Sequence, residues 1–282
     1  MTRGADVEAY LDRLGVGVEP PSPAALARLQ RAHVERIGYE NVWIHLDERW
    51  TVDPDESLRR IARTRRGGYC FQLNGAFSTL LTELGYRVTR HIAGVHGEDG
   101  PHPDELGNHV ALIVDGLPRD DSPHGRWYVD AGLGDSLYEP MPLRAGVSVQ
   151  GPIRFELAPT DEGWHLAVGP GASICGVAIV YGPVEMDVFA DRNEYFRTSP
   201  DSPFARSVTV QRRYRAGTAV VRGRVFARTE DGHASIRTCE SRDDWLDLLD
   251  TEFGVRLDVP GAELDELWSR MRVAHELWAR NT

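Results

Sequence analysis

The chain has 282 residues, of which 41% are hydrophobic and 27% charged, the balance of an ordinary folded protein with one large domain or two to three small ones. A formal net charge of −11 at pH 7 argues against nucleic acid or an anionic membrane as partner. Three cysteines without framework spacing fit a reducing compartment, no charged-then-apolar leader opens the chain, and no apolar run approaches the ~20 residues of a membrane helix, so a cytoplasmic protein is expected.

The first third reads as helices. Residues 7–14 carry helical spacing and stop at Gly15, and Ser22 caps a helix that has Pro23 at its first position and runs to about Ile37 with Leu26, Leu29 and Val34 inward. Asp53 or Asp55 opens another that ends near Arg63, and one more follows Cys70, where Leu73, Phe77, Leu80, Leu81 and Leu84 recur at helical spacing before Gly85. From Tyr86 to about Val188 the pattern changes to short β-rich runs at 87–95, 109–114, 126–130, 155–157, 164–168 and 177–181, as in an antiparallel sheet or barrel. Cys175 falls at the head of the last run and reads as a buried strand residue. Beyond Phe189 come strands at 207–213, 218–229 and 234–238, a short helix opened by Ser241 with Asp244, and a closing amphipathic helix over 262–279. The tryptophans Trp245, Trp268 and Trp278 are placed on inward helix faces. The expected fold is α+β: a helical bundle over 1–85, a central antiparallel β-barrel over 86–188 and a C-terminal α/β region over 189–282.

The segment Arg66-Gly67-Gly68-Tyr69-Cys70-Phe71 puts a lone cysteine where a glycine pair ends and a helix begins. The first turn of a helix offers unpaired N–H groups and the positive end of the dipole, and such a setting can lower a thiol from about 8.5 to roughly 3.5–7.5, making it a nucleophile at neutral pH. A thiolate needs a proton acceptor and the acceptor an orienter. The runs Asn108-His109-Val110 to Val114 and Arg126 to Asp130 form a hairpin; paired about the middle of their loop, they bring His109 opposite Asp130 within a residue or two. Residues directly opposed on one face have Cβ atoms about 4.5–5.5 Å apart, close enough for a carboxylate to hold an imidazole N–H.

The order Cys70, His109, Asp130 and the sequences around each resemble the arylamine N-acetyltransferase family. The nucleophile segment followed by Asn74 matches that family's motif, with Gln72 where Glu is usual. Glu40-Asn41 resembles its early Glu-Asn element, and Val129-Asp130-Ala131-Gly132-Leu133-Gly134 its Asp-Val/Ala-Gly-Phe-Gly segment, with Leu133 in place of Phe. Tyr195-Phe196 through Phe204 and Leu248 through Val255 are similar to two further stretches, so the likeness runs over most of the chain. The resemblance implies a catalytic core like that of papain- and transglutaminase-like cysteine enzymes, with Cys70, His109 and Asp130 catalytic. It also implies substrate-binding positions at Tyr69, Phe71, Val95, Leu133, Gly134 and Phe204, and structural support from Glu40, Arg66 and Asn74, with Arg66 pairing Glu40. Acetyl-CoA is the implied donor and an arylamine or arylhydrazine the acceptor. An amide synthase taking its acyl group from a carrier protein is a related alternative, a cysteine amide hydrolase with the same triad a second, and a non-catalytic binding module a third. The resemblance leaves the oligomeric state open.

A metal site built from His96, His102 and His109 with nearby Glu98, Asp99, Asp104 and Glu105 lacks the spacing of zinc motifs, and no metal is expected; these residues read as a solvated loop that closes over the active site. Gly132-Leu133-Gly134 lacks the rest of a dinucleotide fingerprint; its glycines instead let the chain turn after Asp130 and run close to a bound acyl donor.

Overall fold

A computed structural model describes residues 4–280. Helix α1 (Ala5–Leu14) ends where Gly15 turns left-handed at φ 58°, and α2 (Pro23–Arg36) starts from Ser22, whose hydroxyl accepts the Ala25 N–H. A two-residue strand β1 (Tyr39–Glu40) and a short α3 (Val42–His45) lead to α4 (Pro54–Arg63), capped by the Asp53 carboxylate. Next comes α5 (Cys70–Glu83), which buries residues around nearly its whole circumference, as a central helix must.

Strands β2 (Arg87–His96), β3 (His109–Asp115), β4 (Trp127–Val129), β5 (Met141–Pro142), β6 (Gly146–Gln150), β7 (Ile153–Pro159), β8 (Gly163–Val168) and β9 (Gly176–Val184) form one barrel-like sheet in the order β5-β4-β3-β2-β9-β8-β7-β6. Every ladder in it is antiparallel. Cys175 is not within a strand: it sits half-buried one residue before β9, its N–H on His96 O and its carbonyl accepting Val168 N–H. Strand β3 is apolar along its length because both its faces are covered. Leu112 and Val114 join the core of α1, α2, α4 and α5, whereas Ala111 and Ile113 join the core inside the curled sheet.

The remainder comprises α6 (Ala190–Thr198), strands β10 (Thr209–Arg213), β11 (Gly217–Arg222), β12 (Val225–Glu230) and β13 (His233–Thr238), and helices α7 (Arg242–Phe253) and α8 (Gly261–Arg280). The expected single strand over 218–229 is a hairpin: Arg222 pairs with Val225 across Gly223-Arg224, with Gly223 at φ 55°. Ser241 caps α7 through the Asp244 N–H. Of the three tryptophans, Trp245 is buried and Trp268 half-buried, but Trp278 is 58% exposed on α8, past the last turn that touches the core. Position 85 lies in the link from α5 to β2 and position 189 at the foot of α6. The flanking parts interlock: β1 pairs with β10, so the first part supplies an edge strand to the last sheet.

Candidate active site

Cys70 is the first residue of α5, and the side chain of Tyr69, the residue before it, does not cap that helix start. Two glycines make its approach feasible. A Cβ on Gly67 would lie 1.9 Å from the Gly38 carbonyl oxygen, and Gly68 has φ 132°, so Tyr39 can bridge to Gly68 and Glu40 N–H can bond Gly68 O at 2.8 Å. On the other side, a Cβ on Gly132 would come within 2.8 Å of Cys70 Cα. The glycine after Asp130 therefore lets that segment pass against the backbone of Cys70 itself.

The ladder between β3 and β4 pairs Leu112 with Val129 and Ile113 with Tyr128. Extended by one step, this register sets Asp130 across from Ala111, two residues from His109 on the same face. The offset is spanned by a hydrogen bond of 2.7 Å from His109 Nε2 to Asp130 Oδ2. Cys70 stands close enough to the imidazole to help hold its charge, and its sulfur lies 3.6 Å from Asn108 O. Burial of His109 works against its charge, but the charge and hydrogen bond of Asp130, with Cys70 adding to them, outweigh it and push His109 up to about 10.

Asp130 is saturated. Its Oδ2 accepts from His109 and from Tyr128 Oη (2.7 Å), and its Oδ1 accepts from Asn74 Nδ2 (2.8 Å) and Gly132 N (2.9 Å). Asn74 ties three elements together: from α5 it donates to Asp130 and to Val110 O on β3, and it accepts the Ala131 N–H. Tyr128 was missed by sequence reasoning, although its i, i+2 relation to Asp130 on a strand was the signal. Asn108 and Asn193 were also missed. Asn108 extends the β2–β3 pairing through its side chain on Val95 N and O; Asn193 accepts from Tyr69 Oη (2.7 Å) and Gln72 Nε2 (3.1 Å), fastening α6 to the nucleophile segment.

Arg66 grips buried Glu40 with Nε (2.8 Å) and Nη2 (3.2 Å) and half-buried Glu48 with Nη1 (2.9 Å). Its guanidinium lies 4.7 Å from the Trp50 ring centroid, with Arg60 over the same ring at 3.9 Å.

Cys70 and His109 open onto a cavity of about 640 Å³. Of the positions expected to bind substrate, Val95, Leu133 and Phe204 line it. Tyr69, Phe71 and Gly134 do not. Tyr69 is stacked on Trp43 at 5.5 Å, Phe71 packs on Phe189 at 5.0 Å, and Gly134 gives room to the Gln211 side chain, whose Oε1 a Cβ there would meet at 2.0 Å. The polar loop before β3 supplies Asp104, Glu105 and Asn108 to the cavity wall and is held by Arg192 Nη2 on Asp104 O (3.1 Å). Its histidines part company: His96 stacks on His165, and His102 caps the turn Pro103–Glu105. Among the described residues, no three His, Cys, Asp or Glu side chains gather as a metal site would require.

A family model described as N-acetyltransferase matches residues 24–262. Proansamycin X synthase of Amycolatopsis mediterranei is 28% identical over 261 residues, 86% of this chain and 95% of that protein. The solved arylamine N-acetyltransferase of M. smegmatis superposes with a TM-score of 0.82 at 27% identity over 94% of this chain and 99% of its own. The Mycobacterium marinum arylamine N-acetyltransferase solved in complex with CoA shares the fold at a TM-score of 0.79, with 22% identity over 95% of this chain and 97% of its own. With the family matched over most of its length, this chain belongs to the arylamine N-acetyltransferases and is an acyltransferase.

Proposed function

We propose that the protein moves an acetyl group from acetyl-CoA to the nitrogen of an arylamine or arylhydrazine by a ping-pong route through an acylated Cys70. The observation that carries this is the meeting of Cys70 and His109 at one cavity wall, with His109 bonded to buried Asp130 behind it. In this route the Cys70 sulfur, as a thiolate paired with the imidazolium, attacks the thioester carbonyl, and the C–S bond to CoA breaks in a second step. CoA leaves as the thiol, taking the proton that His109 carried. Neutral His109 then accepts a proton from the incoming amine as its nitrogen attacks the acyl-enzyme, and collapse returns Cys70 as the thiolate with the proton on His109. Asp130 keeps Nε2 bonded, which turns Nδ1 toward the thiol. Backbone N–H groups at the start of α5 are the candidates for holding the oxyanion, where loss of one donor costs about 2.7–4 kcal/mol. Glu40, Arg66 and Asn74 act as braces: the first two fix the loop before Cys70, and Asn74 fixes α5 to the Asp130 segment.

Use of CoA is supported by the neighbour of the same fold solved with it. The intact mass of the protein is expected to rise by one acetyl group on incubation with acetyl-CoA and to return only when an aromatic amine is added. Rapid discharge in water alone would move the protein to the hydrolases. A carrier-bound donor is the second reading, favoured by the likeness to a synthase over 86% of the chain. A screen of acetyl-CoA, longer acyl-CoAs and carrier thioesters separates the two, and turnover with a carrier thioester alone overturns the CoA reading.

Leu133 lines the cavity where the family has Phe. An aromatic wall adds about 0.5–1.5 kcal/mol in ring–ring contact. Leu133→Phe is therefore expected to raise kcat/KM for aniline by up to about tenfold, and an unchanged or lower value would show that this position does not face the acceptor ring.

A further inference from the structure

Five residues after Asp130 stands a second buried aspartate in the opposite condition. Asp135 is 4% exposed and lines the same cavity as Cys70 and His109. Apart from its own backbone amide, one neighbour among the described residues serves it: Ser173 donates through N (3.1 Å) to Oδ1 and through Oγ (2.5 Å) to Oδ2. A carboxylate has about four acceptor positions, and Asp130 fills all of its own with donors from four residues. Asp135 forms no ion pair among the described residues; the Arg222 guanidinium is turned to Ser173 Oγ (3.1 Å), as is Gln211 Nε2 (3.0 Å), and the buried Arg213 guanidinium bonds the backbone carbonyls of Ser136, Gln150 and Gly217. Burial without a paired cation disfavours its charge and pushes Asp135 up.

The rest of the wall fits an aromatic occupant. Phe196 and Phe204 lie edge to face at 4.9 Å, with Val95 and Leu133 adding apolar surface. Cys70, Asp135 and the half-buried Tyr39 all line this one space. A ring in that space with its amine toward Cys70 leaves a substituent facing a carboxylate that has acceptor capacity to spare. We propose that Asp135 sets acceptor specificity, selecting aromatic amines that carry a second hydrogen-bond donor on the ring, a hydroxyl or a further amino group. The proposal rests on the acetyl-transfer reading for the orientation of the amine.

The test is equilibrium binding, without acyl donor, of 3- and 4-aminophenol, their methyl ethers and aniline to the wild-type protein and to Asp135→Ala and Asp135→Asn. A methyl ether keeps the oxygen and loses only the donor. The wild type is expected to bind one of the aminophenols at least tenfold more tightly than its ether, a modest share of what a site built for a hydroxyl can discriminate. That ratio should fall to about one in Asp135→Ala and drop at least threefold in Asp135→Asn, which carries the test if the alanine variant does not fold. Equal binding of phenol and ether by the wild type at both ring positions would overturn the proposal. So would a ratio left intact by the substitutions, because an aspartate that merely clamps the Ser173 loop weakens both ligands together. If the expected ratios appear but acetyl-CoA acetylates none of the amines, the donor reading falls and the role of Asp135 stands.

Discussion

Asp130→Asn is expected to keep the fold and to lower the rate of Cys70 acetylation by about 10³–10⁴-fold, the scale at which a triad with the wrong imidazole tautomer fails. The orientation of the new amide follows from its neighbours. Oδ1 of Asp130 meets two donors, the Asn74 amide and the Gly132 backbone N–H, and the latter cannot turn away. The amide oxygen must therefore take that side and its NH₂ must face His109 and Tyr128. Tyr128 can rotate its hydroxyl and accept, but His109 can accept only by moving its proton to Nδ1, the nitrogen that faces Cys70. The loss of charge acts in the same direction, because without Asp130 burial is left to pull the imidazole down. The His109 midpoint, followed by NMR, should fall from about 10 to the ordinary value of about 6.5 or below. A histidine raised by its fold contributes stability that is complete below about 6.5 and is lost as pH rises toward 10. The melting temperature of the wild type should therefore decline more steeply across that window than that of the variant. Single-turnover acetylation within tenfold of wild type, or an unmoved His109 midpoint, would remove Asp130 from the mechanism.

What the sequence made legible was local. Gly67-Gly68-Tyr69-Cys70 and the spacing of Leu73, Phe77 and Leu80 define a helix start from neighbouring residues alone, and the structure begins α5 at Cys70. The hairpin of His109 and Asp130 could be read only to within two residues, because the loop over 116–126 leaves the register free; the ladder then resolves the offset to two. The bonds that complete the site join residues far apart in the chain, such as Asn193 with Tyr69 at a separation of 124 and Arg222 with Ser173 at 49. No period or turn signal carries that information. The family motif assigns Tyr69 and Phe71 to substrate binding, but neither is on the cavity wall: both are aromatic residues beside the nucleophile that pack into the core with Trp43 and Phe189. Trp278 failed for a related reason, since periodicity on α8 marks a face without showing where along the helix the covering sheet stops.

Arg66→Ala is expected to destabilise the protein by about 3–5 kcal/mol, because it leaves the carboxylate of Glu40 buried without its cation. Glu40 is fully buried, and among the described residues its oxygens have, apart from the Val42 N–H at 3.0 Å, only the Arg66 fork. At roughly 2–4 °C per kcal/mol for a chain of this size class, the melting temperature should drop on the order of 10 °C. Arg66→Lys should fall between wild type and Ala, since one ammonium cannot reproduce two bonds to Glu40 and a third to Glu48. The double variant Glu40→Gln/Arg66→Met should recover much of the loss by removing both charges together. Arg28→Ala, which breaks an exposed pair with Glu19, serves as the reference, with an expected change of at most about 1 kcal/mol. The consequence reaches the chemistry through the backbone. The Arg66 carbonyl is held by Arg13 Nη1 at 2.8 Å, and Glu40 N–H bonds Gly68 O, so both strands of the brace end within four residues of Cys70. Loosening it should slow Cys70 acetylation at temperatures well below the melting transition. A Arg66→Ala protein as stable as Arg28→Ala, with Cys70 acetylated at the wild-type rate, would mean that the buried pair neither holds the loop nor positions the nucleophile.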